Sequence, residues 1–149
     1  MKVNLENRAA LVTGSAKSIG RAIALSLAKQ GADVVVNDLD EGEGRKVVNE
    51  IRAMGRRSLF VKADVSDSVA VNKMVEFISE NFGPLEILVN NAGINVGISG
   101  RVPFPEFSEA DWRRIIDVDL NGVFYCGKAV AQQMIKQKRG KIINISSVA

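Results

Sequence analysis

Residues 13–20 read Thr13-Gly14-Ser15-Ala16-Lys17-Ser18-Ile19-Gly20, a run of small residues with a glycine near each end. It follows the compact apolar run 9–12 and opens a segment with helical spacing, so it reads as a strand-to-helix turn. At such a turn the unpaired N–H groups of the helix N-terminus and the positive end of its dipole face one point, which favours a bound anion. Gly14 supplies the freedom to leave the strand, and Gly20 lets the helix pack close to the sheet. Gly14, Ser15, Lys17, Ser18, Ile19 and Gly20 are therefore the candidate residues for holding a pyrophosphate.

Three further groups extend this chemistry. Asp38 ends the next apolar run, 18 residues beyond Gly20, where a carboxylate can accept hydrogen bonds from ribose hydroxyls. A 2′-phosphate would meet like charge there, so Asp38 favours NAD over NADP. Lys17 argues the other way, but Leu39 rather than a basic residue follows Asp38. The alternative is that Asp38 is a solvated loop acid beside Asp40 and Glu41. Asp64 and Val65 are placed to hold an adenine, the carboxylate on its exocyclic amine and the valine against the ring; locally they read equally well as a turn. Asn90-Asn91-Ala92-Gly93 lies at the carboxyl end of another apolar run, where sheets of this kind bind ligands. Asn90, Ala92 and Gly93 join the cofactor-binding candidates because small residues let a cofactor lie against the backbone.

These groups need a scaffold that brings several strand ends to one edge. Apolar, β-branched runs at 9–12, 34–36, 58–61, 87–89 and 141–145 read as strands buried on both faces. Helical spacing falls between them, at 19–30 with Gly31 as its stop and at 43–54 closed by Gly55. A third helix, capped by Ser66 or Asp67, carries the stripe Val71, Val75, Ile78 and Phe82. Ser108 with Asp111 resembles a capping box for a helix to about Val118, and residues from Leu120 to Met134 mark a separate one. The alternation predicts an α/β fold: a doubly wound parallel sheet in the order 3-2-1-4-5, forming a single domain over residues 1–149.

Composition narrows the chemistry. With no histidine and one cysteine, Cys126, the chain offers no zinc site, Ser-His-Asp triad or Cys-His dyad, and no metal site is expected. The net charge is +3, from 20 basic and 17 acidic residues, and the densest basic run (Lys136, Lys138, Arg139, Lys141) reads as a solvated helix end rather than a nucleic-acid contact. No apolar stretch reaches the roughly 18 residues of a membrane span, so a cytoplasmic protein is expected.

In combination these motifs resemble the short-chain dehydrogenase/reductase family, from Leu5 onward. Thr13, Gly14 and Gly20 match its cofactor turn Thr-Gly-x-x-x-Gly-x-Gly, with Ser18 in place of the middle glycine. Residues 90–93 match its Asn-Asn-Ala-Gly motif. The resemblance implies a Rossmann-like fold and hydride transfer between NAD(P) and a carbonyl or secondary alcohol, of the 3-oxoacyl-reductase or sugar and polyol dehydrogenase kind. It also implies that Ser147, the second serine of Asn-Ile-Ser-Ser, orients the substrate carbonyl. Asp119 stands where the family carries an asparagine that supports a proton relay.

The family's general acid/base is a tyrosine with a lysine four residues on, shortly after that serine. The single tyrosine here, Tyr125, lies upstream with Lys128 three residues on, and reads as a helix-packing residue. The chain is expected to be the amino-terminal portion of a longer oxidoreductase, inactive alone, and a homo-oligomer is expected. A non-catalytic NAD-binding module and an interaction remnant are the alternatives. Ile94, Val96, Ile98, Val102 and Phe104 suit a partly apolar substrate or simply pack their loop.

Overall fold

The computed structural model describes residues 3–95 and 102–147. In chain order the elements are β1 (Ala9–Thr13), α1 (Ser18–Lys29), β2 (Asp33–Asp38), α2 (Glu41–Ala53), β3 (Ser58–Lys62), α3 (Ser68–Asn81) and β4 (Ile87–Asn90). A short 3-10 turn (Phe104–Glu106) precedes α4 (Glu109–Ile116), a π turn (Asp117–Asn121), α5 (Gly122–Lys136) and β5 (Lys141–Asn144). All four strand pairings are parallel and the sheet order is β3-β2-β1-β4-β5, as the sequence pattern predicts.

Strand periodicity divides the core into two layers. Leu11, Val35 and Leu88 point to one face of the sheet and meet Val71, Ile78, Cys126 and Val130 of α3 and α5. Their neighbours Ala10, Val12, Val34, Val36 and Val89 point to the other face and meet Ala24, Ala28, Val47 and Ile51 of α1 and α2. Both faces of the central strands are covered, which is why their sequences run apolar without alternation. Among the described residues, no helix is long and apolar enough to cross a membrane.

The structure also decides between open boundaries and shifts some others. Asp67 caps α3, its carboxylate accepting from Val69 N and Ala70 N. Asp40 caps α2, which therefore begins two residues earlier than its apolar spacing suggests. The expected break near Val118 does not occur: α4 and α5 form one continuous helical run joined by the π turn, where Gly122 N donates to the Asp117 carbonyl. One additional residue in that turn keeps both flanking helices hydrogen-bonded while turning Asp119 toward the end of β4.

β5 is the exposed edge that its position in the sequence foretold. All four residues of the strand are exposed, Ile142 and Ile143 among them. Its ladder continues one step further, because Ile145 N donates to Asn90 O at 2.9 Å.

Candidate functional site

The carboxyl ends of β1 to β4 and the inner side of α4 enclose a cavity of about 920 Å³, near the upper end of the size range of small-molecule sites. Gly14, Lys17, Ser18, Ile19 and Gly20 form its floor. Asp38, Asp64, Val65, Ala92 and Gly93 line its sides, together with Asn91 and Ile94. Ten of the predicted site residues thus share one cavity.

The floor is held by a mutual lock between the β1 turn and the β4 turn. Thr13 Oγ1 accepts from Asn91 N and Ala92 N, both at 3.0 Å, and donates to Val89 O. Asn91 Nδ2 donates back to the carbonyls of Thr13 and Gly14, each at 3.0 Å. Gly14 has φ +60, and a Cβ there would stand 2.8 Å from Ala92 Cα. A Cβ on Gly20 would overlap the Gly14 carbonyl oxygen and the Asn91 side-chain nitrogen. Both glycines are therefore required by close approach, at the two positions where the cofactor motif places them.

The donors left over define what the floor can bind. Ser15 N donates to Asn37 O, and Ala16 N donates to Asp38 Oδ2. Lys17 is the N-cap of α1 and its side chain makes no cap hydrogen bond. α2, α3 and α4 are capped by Asp40, Asp67 and Ser108. Among α1 to α4, α1 alone has no side-chain cap, and its first-turn N–H groups belong to Ser18, Ile19 and Gly20, which line the cavity. Its first turn also lacks an acidic residue, so no carboxylate of the helix itself opposes an anion bound there. Ser18 has φ +50; the serine adopts the left-handed backbone that a glycine would take without strain.

Asp38 reaches the cavity with its oxygens already engaged: Oδ2 with Ala16 N at 2.9 Å, Oδ1 with Leu39 N at 2.8 Å and Asp40 N at 3.1 Å. Asp64 forms the local turn that was its alternative reading, accepting from Ser66 N and Ser66 Oγ, yet it still lines the cavity. Val65 is buried beneath and packs against Gly122.

Four predicted residues stand apart from the cavity lining. Ser15 is fully buried, its hydroxyl against Val12 O at 2.7 Å, so it secures the turn from below. Asn90 ties β4 to β5 through Asn144 Oδ1 at 2.9 Å, and its own buried Oδ1 has no partner. Asp119 Oδ1 accepts from Ile94 N at 2.8 Å, which fastens the segment after Gly93 to the π turn. Ser147 lies exposed beyond β5. Of the apolar residues in the loop between β4 and α4, Val96 and Ile98 lie outside the described residues; Phe104 is 86% exposed. Tyr125 packs edge-on against Phe124 and against the α3–α5 core, as expected.

Arg113, Arg114, Asp117 and Val118 also line the cavity, and sequence reasoning missed them. Arg113 and Arg114 belong to α4, and Asp117 and Val118 to the π turn after it; nothing in their spacing announces the contact. Asn37 was missed as well; its side chain donates to Val61 O and Ala63 O and holds the end of β3 in place.

A doubly wound parallel sheet with an open helix N-terminus at its first turn defines a dinucleotide-binding α/β fold. The chain belongs to the short chain dehydrogenase family, whose model matches residues 8–149. It is 44% identical over 147 residues to a hydroxy(phenyl)methylsuccinyl-CoA dehydrogenase subunit of Thauera aromatica, covering 99% of this chain and 58% of that protein. It is 42% identical over 142 residues to a 3-oxoacyl-acyl-carrier-protein reductase of Staphylococcus aureus, covering 95% of this chain and 56% of the relative. Among solved structures, a gluconate 5-dehydrogenase from Burkholderia cenocepacia in complex with NADP and tartrate superposes with a TM-score of 0.90 at 37% identity. That match covers 99% of this chain and 56% of the other. The chain thus spans a little over half the length of the relatives it matches.

Proposed function

We propose that residues 1–149 form one dinucleotide-binding domain of an oxidoreductase that prefers NAD to NADP. The reaction is hydride transfer between the nicotinamide and a carbonyl or secondary alcohol. The carrying observation is that α1, without a side-chain cap, opens its first-turn N–H groups onto the cavity that Asp38 and Asp64 line.

In this reading the N–H groups of Ser18, Ile19 and Gly20 hold the pyrophosphate. Asp38 accepts from the adenosine ribose, Asp64 from the adenine amine, and Val65 backs the ring. Ala92 and Gly93 let the cofactor lie close to the β4 turn, whose path Asp119 fixes through residue 94. The bound nicotinamide supplies the hydride donor or acceptor. Ser147 orients the substrate oxygen. Tyr125 and Lys128 cannot supply the proton, because Tyr125 packs against Phe124 and the α3–α5 core. These 149 residues alone bind cofactor without turnover.

The relatives' names support a 3-oxoacyl or a sugar-acid substrate. Exposed Leu120, Phe124 and Ile135 support a homo-oligomer. The expected compartment is the cytoplasm, where a lone thiol such as Cys126 stays reduced.

Titration of the chain with NADH and NADPH, followed by nicotinamide fluorescence, tests the reading. Saturable NADH binding, weaker NADPH binding and no oxidation of NADH by added carbonyl compounds are expected. Absence of binding to either nucleotide overturns it.

A further inference from the structure

We infer that Asp38 is a positioning residue for the phosphate-binding turn, so that cofactor choice and phosphate grip depend on the same carboxylate. The inference rests on the proposed reading that this turn holds the pyrophosphate of NAD. An ionised carboxylate offers about four lone-pair sites, and backbone N–H groups of Ala16, Leu39 and Asp40 occupy three of them. About one remains for the ribose hydroxyls. Reading the ribose is thus the smaller part of what this side chain does.

The larger part is mechanical. Ser15 is fixed by its N–H on Asn37 O at 3.0 Å, and Ala16 by its N–H on Asp38 Oδ2 at 2.9 Å, so two successive residues are pinned to the end of β2. The chain then runs extended through Lys17, at φ −151, and enters α1 through Ser18 at φ +50. A left-handed serine persists only where its surroundings over-determine it. The anchor on Ala16 is the constraint on its amino-terminal side, and the packing of Gly20 on Gly14 and Asn91 is the constraint on the other. Without the carboxylate, Ala16 N–H loses its acceptor and Ser18 is free to relax toward the right-handed region. The N–H groups of Ser18, Ile19 and Gly20 then lose their common aim. A substitution at Asp38 meant to admit a 2′-phosphate therefore weakens both nucleotides.

A pair of ligands separates the two roles: NADH, and its analogue with 2′,3′-dideoxyribose on the adenosine, which has no hydroxyl for Asp38 to read. Both are titrated against the unsubstituted chain, Asp38→Ala and Asp38→Asn, at a temperature where each variant is fully folded by circular dichroism. The expected result is that Asp38→Ala binds the dideoxy analogue about tenfold more weakly than the unsubstituted chain does. Asp38→Asn, whose amide oxygen still accepts from Ala16 N–H, recovers part of that loss. A general loss of stability lowers the melting temperature but does not produce this graded change in the folded protein's affinity. Equal affinity of Asp38→Ala and the unsubstituted chain for the analogue overturns the inference while leaving the dinucleotide reading intact. If Asp38→Ala does not fold, Asp38→Val, which likewise offers Ala16 N–H no acceptor and suits a strand end, takes its place, and equal affinity of that variant and the unsubstituted chain overturns it in the same way. Failure of the unsubstituted chain to bind NADH overturns the dinucleotide reading, and this inference with it.

Discussion

Replacing Gly20 with alanine perturbs the site by one methyl group at its tightest point. That methyl overlaps the carbonyl oxygen of Gly14 and the side-chain nitrogen of Asn91. The first neighbour is backbone, so relief requires α1 to move away from the turn, and overpacking of this kind costs about 1–3 kcal/mol. The second neighbour is the amide that joins the β1 and β4 turns through two hydrogen bonds of 3.0 Å, worth about 1 kcal/mol each. Alanine is the better helix former by about 1 kcal/mol, which offsets part of this. The net expectation is a destabilisation of about 2–4 kcal/mol, or on the order of 10 °C in melting temperature for a chain of this size. Displacement of the first-turn N–H groups also weakens NADH binding by at least about tenfold. Thermal melts by circular dichroism and an NADH titration below the melting range measure both effects. Gly127→Ala is the control: a Cβ there meets nothing within 4 Å, so it gains the helix-forming advantage and leaves NADH affinity unchanged. If Gly20→Ala melts with the unsubstituted chain and binds NADH equally well, the close approach of α1 to the turn is not what shapes the site.

Three further expectations concern separate parts of the molecule. Ser18→Gly removes the left-handed strain at φ +50 and raises stability by up to about 1 kcal/mol; an unchanged urea midpoint would count against strain at that position. Glu86 is buried between Arg8 and Arg139, each at 2.6 Å. Both arginines are more than a third exposed and can turn to water. Glu86→Gln should therefore cost about 1–2 kcal/mol, less than a fully enclosed pair, with NADH binding unaffected; a loss of NADH affinity would contradict its placement at the far edge of the sheet. Burial pushes the Cys126 thiol up to about 12. The folded state then keeps its proton while the unfolded thiol ionises, so stability holds below about pH 9 and falls toward pH 12, by up to about 1.4 kcal/mol per pH unit. Iodoacetamide at pH 8 should label Cys126 only as fast as the chain opens, and rapid labelling of the folded chain would show an accessible thiolate.

The parts of this fold that were legible in advance are those governed by local periodicity and covered faces. Leu11, Val35 and Leu88 alternate with neighbours that are equally apolar because both sheet faces carry helices, and that requirement alone fixes a parallel α/β sheet. The turn at 13–20 was legible for a similar reason: Gly14 and Gly20 sit where the backbone has no room for a side chain. What was not legible depends on partners distant in sequence. Helical spacing changes phase near Val118, which reads as a break between two helices. The structure instead takes up the phase change in a π turn, from which Asp119 accepts from Ile94 N in the segment after β4. The inward side of α4 was invisible for the same reason, since Arg113 and Arg114 meet the cavity only once the strand ends have been gathered. Ser15 shows the limit within a single motif. Its type and position suit a phosphate contact, yet its N–H and hydroxyl both point down to β1 and β2, and the first-turn N–H groups of α1 begin three residues later. A motif names the segment that binds; which of its N–H groups remain free is set by the strand that closes beneath it.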